Sequence, residues 1–250
     1  MPIIESIQVA SVAVPLDKVT SFSTRTVSER HYCLVKVRGK DGNEGIGFCY
    51  VGSAGGDIAK VAVEQLLAPK LIGQNSHRSE GLWMEMYNES ILQGRTGAVM
   101  RGISILDTAL WDLNARSVGL PLHQYLGSVV DDRVPAYASG GYYLEGKTPA
   151  KLGKEMESYV KQGFKAVKMK VGRLSPSEEE ARVKAARKAV GDDVLLTLDA
   201  NNAWRDLPTA LEYVRRFEAY NPYWIEEPFS PDAIDLHAAL ARQTKINVAT

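Results

Sequence analysis

With 250 residues, 45% hydrophobic and 24% charged, the chain has the composition of an ordinary globular protein and the length for one large domain or two smaller ones. Thirty basic side chains balance thirty acidic ones, which argues against a general nucleic-acid or membrane-surface binder. No apolar stretch approaches the roughly 18–20 residues of a membrane span.

The first 19 residues, "MPIIESIQVASVAVPLDKV", alternate like a strand and lack the basic segment that precedes the apolar core of a signal peptide. Across residues 3–51, short alternating runs at 3–14, 32–37 and 45–51 predict an antiparallel meander, its last two strands joined by the polar turn "GKDGNEG". Cys33 and Cys49 fall in separate strands of this region. They read as buried thiols rather than a disulfide or a metal pair, and a cytoplasmic home follows. Residues 57–126 are rich in helix formers. The clearest helix lies in "GAVMRGISILDTALWDLNARSVGLPLHQYLG" (97–127), where Met100, Ile103, Ile105, Leu106, Ala109, Leu110 and Leu113 form an apolar stripe that "VGLP" ends.

From residue 134 onward strands and helices alternate. Strands are expected at 134–139, 166–171, 194–201, 223–228 and 246–249, and helices at about 148–162, 177–190, 207–219 and 232–243. Such alternation implies a parallel sheet, because only a crossover returns the chain in the same direction. An open doubly wound sheet and a (β/α)8 barrel both satisfy it. No glycine-rich phosphate loop follows any strand, which removes the best evidence for a nucleotide-binding open sheet.

The strands at 194–201 and 223–228 are apolar until their C-terminal ends and then abruptly charged. "FKAVKMKVGR" places Lys168 and Lys170 on one face of a strand, where two ammonium groups repel and need counter-charges. "LDANN" ends the next strand with Asp199 and Asn201, and "WIEEP" ends the one after with Glu226 and Glu227. Lys170 and Asp199 are 29 residues apart, and Asp199 and Glu226 are 27 apart. Each interval is one βα unit, so these side chains belong at similar height on neighbouring strands. Carboxylates so placed form a hard oxygen donor set, suited to Mg²⁺, with Mn²⁺ the alternative. An ammonium beside a divalent cation and a second ammonium has its protonated form disfavoured, and can then serve as a general base. Base plus metal is the equipment for removing a proton alpha to a carboxylate.

Each feature alone has a duller reading: lysines solvated at an edge bend, an Asx turn at Asp199, a helix cap at Glu226–Glu227. Independent turns need not fall at three successive strand ends, and their joint occurrence favours the metal-assisted site.

"KMK", "DANNAW" and "WIEEP", together with "ALWDLNARSVGLPLHQYLG", resemble the mandelate racemase/muconate lactonizing enzyme family of the enolase superfamily, and the similarity runs in order through essentially the whole chain. The resemblance implies an N-terminal α+β capping domain, residues 1–127, followed by an α/β (β/α)7β TIM-like barrel. Residues 128–250 would supply its first five strands, leaving the barrel incomplete in this chain. It implies Lys170 as the base, and Lys168 as a contact to the substrate carboxylate that lowers the proton affinity of Lys170. Asp199 and Glu226 would hold the metal, Asn201 would support them and Glu227 would lie behind them. Cap loops near 16–30 and 49–56 would choose the substrate, with Arg25 and Tyr50 as candidate contacts. A third acidic ligand and the base on the opposite face would follow Thr250, so the chain is expected to be the N-terminal portion of a longer enzyme.

The expected partner is a small carboxylate substrate, with acid-sugar dehydration leading over racemisation or epimerisation and cycloisomerisation, and the resemblance implies a homo-oligomer. The rival readings are a truncated, non-catalytic protein and an open-sheet binder of small acids. His31, His77, His123 and His237 show no metal spacing. Trp111 and Trp224 read as packing residues, and "RVKAARK" (182–188) as a solvated helix face.

Overall fold

The structure, a computed structural model, describes residues 2–127 and 133–250. The chain forms two compact units: residues 2–17 and 28–127 gather in the first, and residues 18–27 and 135–250 in the second. The expected boundary after residue 127 adjoins 128–132, which lie outside the described residues. The segment 18–27, placed by sequence in the cap, packs with the second unit.

β1 (Ile4–Phe22), β2 (Arg25–Gly39) and β3 (Glu44–Gly52) form a three-stranded sheet in that order, the tip of the β1–β2 hairpin (18–27) belonging to the second unit. β2 and β3 are antiparallel and set Cys33 opposite Cys49, both as free thiols. The chain then runs helically from Gly56 to Leu71: α1 (Gly56–Val61), a π segment (Ala62–Leu67) and α2 (Ala68–Leu71). Pro69 accounts for the widened turns before it, since its ring excludes the carbonyl four residues back. Next come α3 (Ser79–Glu89), α4 (Gly97–Ser117) and α5 (Leu122–Tyr125). The apolar stripe of α4 is buried from Ile103 to Leu113 with Val35, Val37, Leu67, Leu82 and Met86. β3 meets α4 through Gly45 and Gly47, where a Cβ would overlap the carbonyl oxygens of Ala109 and Ile105, one helical turn apart.

The second unit alternates as the sequence predicts: β4 (Ala138–Ser139), α6 (Pro149–Lys161), β5 (Ala166–Lys170), α7 (Pro176–Val190), β6 (Leu195–Asp199), α8 (Leu207–Phe217), β7 (Trp224–Glu226), α9 (Ile234–Ala241) and β8 (Asn247–Ala249). The helices open on local signals. Thr148 accepts from the Lys151 amide, Ser175 and Glu178 form a reciprocal capping box, and Asp206 accepts from the Thr209 amide. All five strands are parallel, in the order β4-β5-β6-β7-β8. Every strand adds beside its predecessor with no reversal of order, which is barrel-type winding rather than the doubly wound kind. Between sheet and helices lies a core of Val167, Met169, Leu196, Leu198, Ile225, Met156, Ala186, Val214 and Phe217. Among the described residues no helix is long and apolar enough to cross a membrane.

The run 182–188, expected to be a solvated face, turns two arginines inward. Arg182 is buried, and Arg187 donates to the carbonyls of Gly191, Val194, Tyr220 and Asn221. A guanidinium with its donors so satisfied tolerates burial that an unpaired charge would not.

Gly47→Ala should destabilise the first unit by about 3 kcal/mol, because the added methyl must push α4 off β3. A urea melt with an unchanged midpoint would show that the helix can shift at little cost.

Candidate active site

β5 presents Val167 and Met169 to the apolar core and Lys168 and Lys170 to the opposite face. Both lysines are less than a tenth exposed. The parallel register sets Lys170 beside Asp199, and Asp199 beside Glu226, so three charged residues lie level across β5, β6 and β7. Lys170 Nζ is 2.6 Å from Asp199 Oδ2. Lys168 Nζ donates to both oxygens of Glu226, at 2.9 and 3.0 Å, and stands 3.7 Å from Asp199 Oδ2. The counter-charges that the buried lysines need therefore come from the two following strands. Burial pulls the Lys168 ammonium down, but the hydrogen bond and charge of Glu226, with Tyr137 and Asp199, outweigh it and hold Lys168 above the usual lysine range.

Aromatic rings enclose the two ammonium groups. Lys168 Nζ lies 5.2 Å from the Tyr137 ring centroid, and Lys170 Nζ lies 5.3 Å from Tyr142 and 6.0 Å from Phe22. Trp224, read from sequence as packing, also donates from Nε1 to Glu226 Oε2 at 3.2 Å and stands edge-on to Tyr137. Sequence reasoning missed Phe22, Tyr137 and Tyr142. Tyr137 and Tyr142 flank the end of β4, and a search for aromatics beside the first strand end would have flagged them.

Asn201 donates its backbone N–H to Asp199 Oδ1 at 2.9 Å and its amide to Glu227 Oε2 at 3.5 Å, while its buried Oδ1 has no hydrogen-bond partner. Asn201, Asn202 and Glu227 all take left-handed backbone conformations, with φ of 47°, 61° and 47°. Such angles are rare for glutamate, and their clustering at two adjacent strand ends marks a shaped site rather than a generic turn. The turn of residues 18–27 adds Ser23 and Thr24, whose hydroxyls bond the carbonyls of Ala200 and Asn201. Arg25, a candidate substrate contact, is exposed and lies over Phe22, 5.8 Å from its centroid, rather than among the lysines and carboxylates. Tyr50 belongs to the first unit, where it packs on Tyr32 and its carbonyl accepts from Arg101.

Asp199 and Glu226, level on neighbouring strands, are hard oxygen donors that could hold a divalent ion. Among the described residues no three His, Cys, Asp or Glu converge as a metal cluster. Two carboxylates nonetheless suit Mg²⁺, which keeps several waters and commonly takes one or two protein carboxylates.

Two family models match the chain: "Mandelate racemase / muconate lactonizing enzyme, N-terminal domain" over residues 4–127 and "Enolase C-terminal domain-like" over residues 151–250. The chain belongs to the mandelate racemase/muconate lactonizing enzyme family of the enolase superfamily. It is 40% identical to arabinonate dehydratase of Saccharolobus solfataricus, over 77% of this chain and 51% of that protein. It is 33% identical to L-talarate/galactarate dehydratase of Salmonella typhimurium, over 93% of this chain and 58% of the relative. The chain thus spans just over half the length of these two relatives. A racemase of Streptomyces coelicolor A3(2), solved with bound magnesium, superimposes with a TM-score of 0.92 at 30% identity, covering 98% of this chain and 68% of that one.

Glu227→Gly should raise stability by about 1 kcal/mol, because glycine adopts the left-handed conformation without the side-chain clash and gives back only part of that gain in chain entropy. An unchanged or lower denaturation midpoint would mean that Glu227 contributes more through its contacts than its backbone costs.

Proposed function

We propose that this chain carries the base and two metal ligands of a Mg²⁺-dependent enzyme that removes the proton alpha to a carboxylate, in the service of acid-sugar dehydration. One observation carries the reading: Lys168, Lys170, Asp199 and Glu226 form a closed set of paired charges at three adjacent strand ends. Structural ion pairs need no orphaned amide oxygen beside them and no backbone strain around them, and both are found here.

Asp199 and Glu226 would hold the divalent ion, with Asn201 supporting Asp199 through its backbone N–H and Mn²⁺ serving the same donors. When bound, the ion would supply positive charge to the substrate carboxylate and to the negative charge that develops as the proton leaves. Lys168 would give up its partner Glu226 and pair with the substrate carboxylate. Lys170, on the same face, would receive the alpha proton in its neutral form. Phe22, Tyr137 and Tyr142 would limit water around the two amines. Loss of the C2 proton and the C3 hydroxyl removes one water from a polyhydroxy acid and leaves an enol, which tautomerises to a 2-oxo acid. The same first step serves racemisation and cycloisomerisation. Dehydration is favoured because the two relatives described above are named for it, as dehydratases of arabinonate and of L-talarate/galactarate.

The test uses the protein as its native host makes it, incubated in D2O with Mg²⁺ and a panel of acid sugars including arabinonate, galactarate and gluconate. Deuterium at the alpha carbon and formation of a 2-oxo acid are expected with at least one of them. The absence of both across the panel would overturn the reading. Lys170→Ala should abolish exchange from one face and leave Mg²⁺ affinity within about twofold, whereas Asp199→Asn should weaken Mg²⁺ by more than about tenfold. Lost metal binding in the first variant would remove Lys170 as base, and unchanged affinity in the second would remove Asp199 as ligand.

A further inference from the structure

Behind β5, on the helix side of the sheet, lies a second charged cluster that the proposed chemistry does not use. Glu179, on the first turns of α7, is completely buried. Its Oε1 accepts the backbone amides of Gly172, Arg173 and Leu174, at 3.1, 3.0 and 3.0 Å, and the Tyr143 hydroxyl. Its Oε2 accepts from Arg182 Nη1 at 2.9 Å. Arg182 is itself buried, lies 3.9 Å over the Tyr143 ring, and donates to the carbonyls of Lys170 (3.1 Å) and Gly141 (2.8 Å).

These bonds end on the groups that surround the Lys170 amine. The Lys170 carbonyl fixes the backbone from which that side chain rises. Gly141 immediately precedes Tyr142, whose ring faces Lys170 Nζ. Tyr143 pairs its backbone with Ser21 in both directions, at 3.1 and 2.9 Å, and Arg173 Nη1 donates to the Phe22 carbonyl at 3.2 Å. Phe22 is the second ring against Lys170. One buried carboxylate thus ties together the base of the lysine, both rings beside its amine and the loop that follows it.

Resting on the functional reading above, we infer that Glu179, acting through Arg182 and Tyr143, is a positioning residue that fixes where the Lys170 amine stands. A purely structural role does not explain the cluster as well. A buried ion pair adds little stability over well-packed apolar residues of the same volume, so its worth lies in the geometry it imposes. All four donors to Oε1 come from segments bordering Lys170 or its rings, and none serves the distal end of α7.

The experiment compares Glu179→Gln, Arg182→Gln and Tyr143→Phe, the last removing only a hydroxyl. Two readouts are taken on folded protein with Mg²⁺. The first is acetylation of individual lysines by limiting acetic anhydride, followed by peptide mass spectrometry, with exposed Lys161 and buried Lys168 as references. The second is alpha-deuterium exchange on whichever acid sugar the wild type exchanges. Labelling of Lys170 is expected to rise about tenfold relative to both references as its enclosure opens locally. The kcat for exchange should fall about 100-fold, the scale of an ångström-level misplacement, with KM within about twofold. Unchanged Lys170 labelling in all three variants would overturn the proposal. So would an equal rise at Lys168 and Lys170, which would make Glu179 a general support of the sheet. A wild type that exchanges no acid sugar sinks the functional reading alone, because the labelling comparison needs no substrate.

Discussion

Two ammonium groups on one face of one short strand are the constraint around which the second unit is arranged. Lys168 and Lys170 are each less than a tenth exposed, and an unpaired charge at that depth costs several kcal/mol. β5 cannot supply the compensation, since its other side chains on that side of the chain are few and uncharged. Asp199 and Glu226 must come from the neighbours, at one level, with the strands parallel. A slip of one residue in either pairing would carry a carboxylate to the helix side and leave a buried amine alone. The register is therefore enforced twice: by Met169, Leu198 and Ile225 on the apolar face, and by the paired charges on the polar one. The charges add little to net stability, which the apolar core provides. They add selection, because alternative registers lose about 3–5 kcal/mol for each buried pair that is broken.

The same row shows why the strand ends depart from regular geometry. If β6 continued as a strand, Asn201 would follow the alternation of side chains and leave Asp199 Oδ1 without its backbone donor. Turning left-handed at Asn201 and Asn202 brings the Asn201 amide onto Asp199 and the Asn202 amide onto the Glu227 carbonyl, at 2.7 Å. The strain is thus local and coupled. It sits on residues whose neighbours hold it, between a rigid core below and the Ser23–Thr24 turn bonded to the same backbone.

Much of this was legible along the chain because its signals are local. Apolar periodicity and capping residues placed every long helix of the second unit within about two residues, the usual uncertainty of such boundaries. The spacing of one βα unit between Lys170, Asp199 and Glu226 brought the site residues to one level. The missed features are those in which partners are remote in sequence. Phe22 reaches Lys170 across nearly 150 positions, and no pattern around Phe22 announces it. Arg182 and Arg187 sit in a run that reads as a charged helix surface, and only the loops folded against α7 reveal that their donors are used up. Trp224 reads along the chain as a packing residue, and its indole N–H finds Glu226 only in the fold.

Arg25 and Lys170 mark the two extremes of how this unit treats a cation. Lys170 rises from the C-terminal end of β5, with its carbonyl, its flanking rings and its counter-charge each held by a separate element. Arg25, the first residue of β2, is exposed and lies against the Phe22 ring alone, away from the core. On the proposed function, that separation would let one proton-transfer geometry persist while the surface around it varies. Substitutions in the 18–27 segment would then alter the surroundings of the site, while the lysine row stays fixed by the register of β5, β6 and β7.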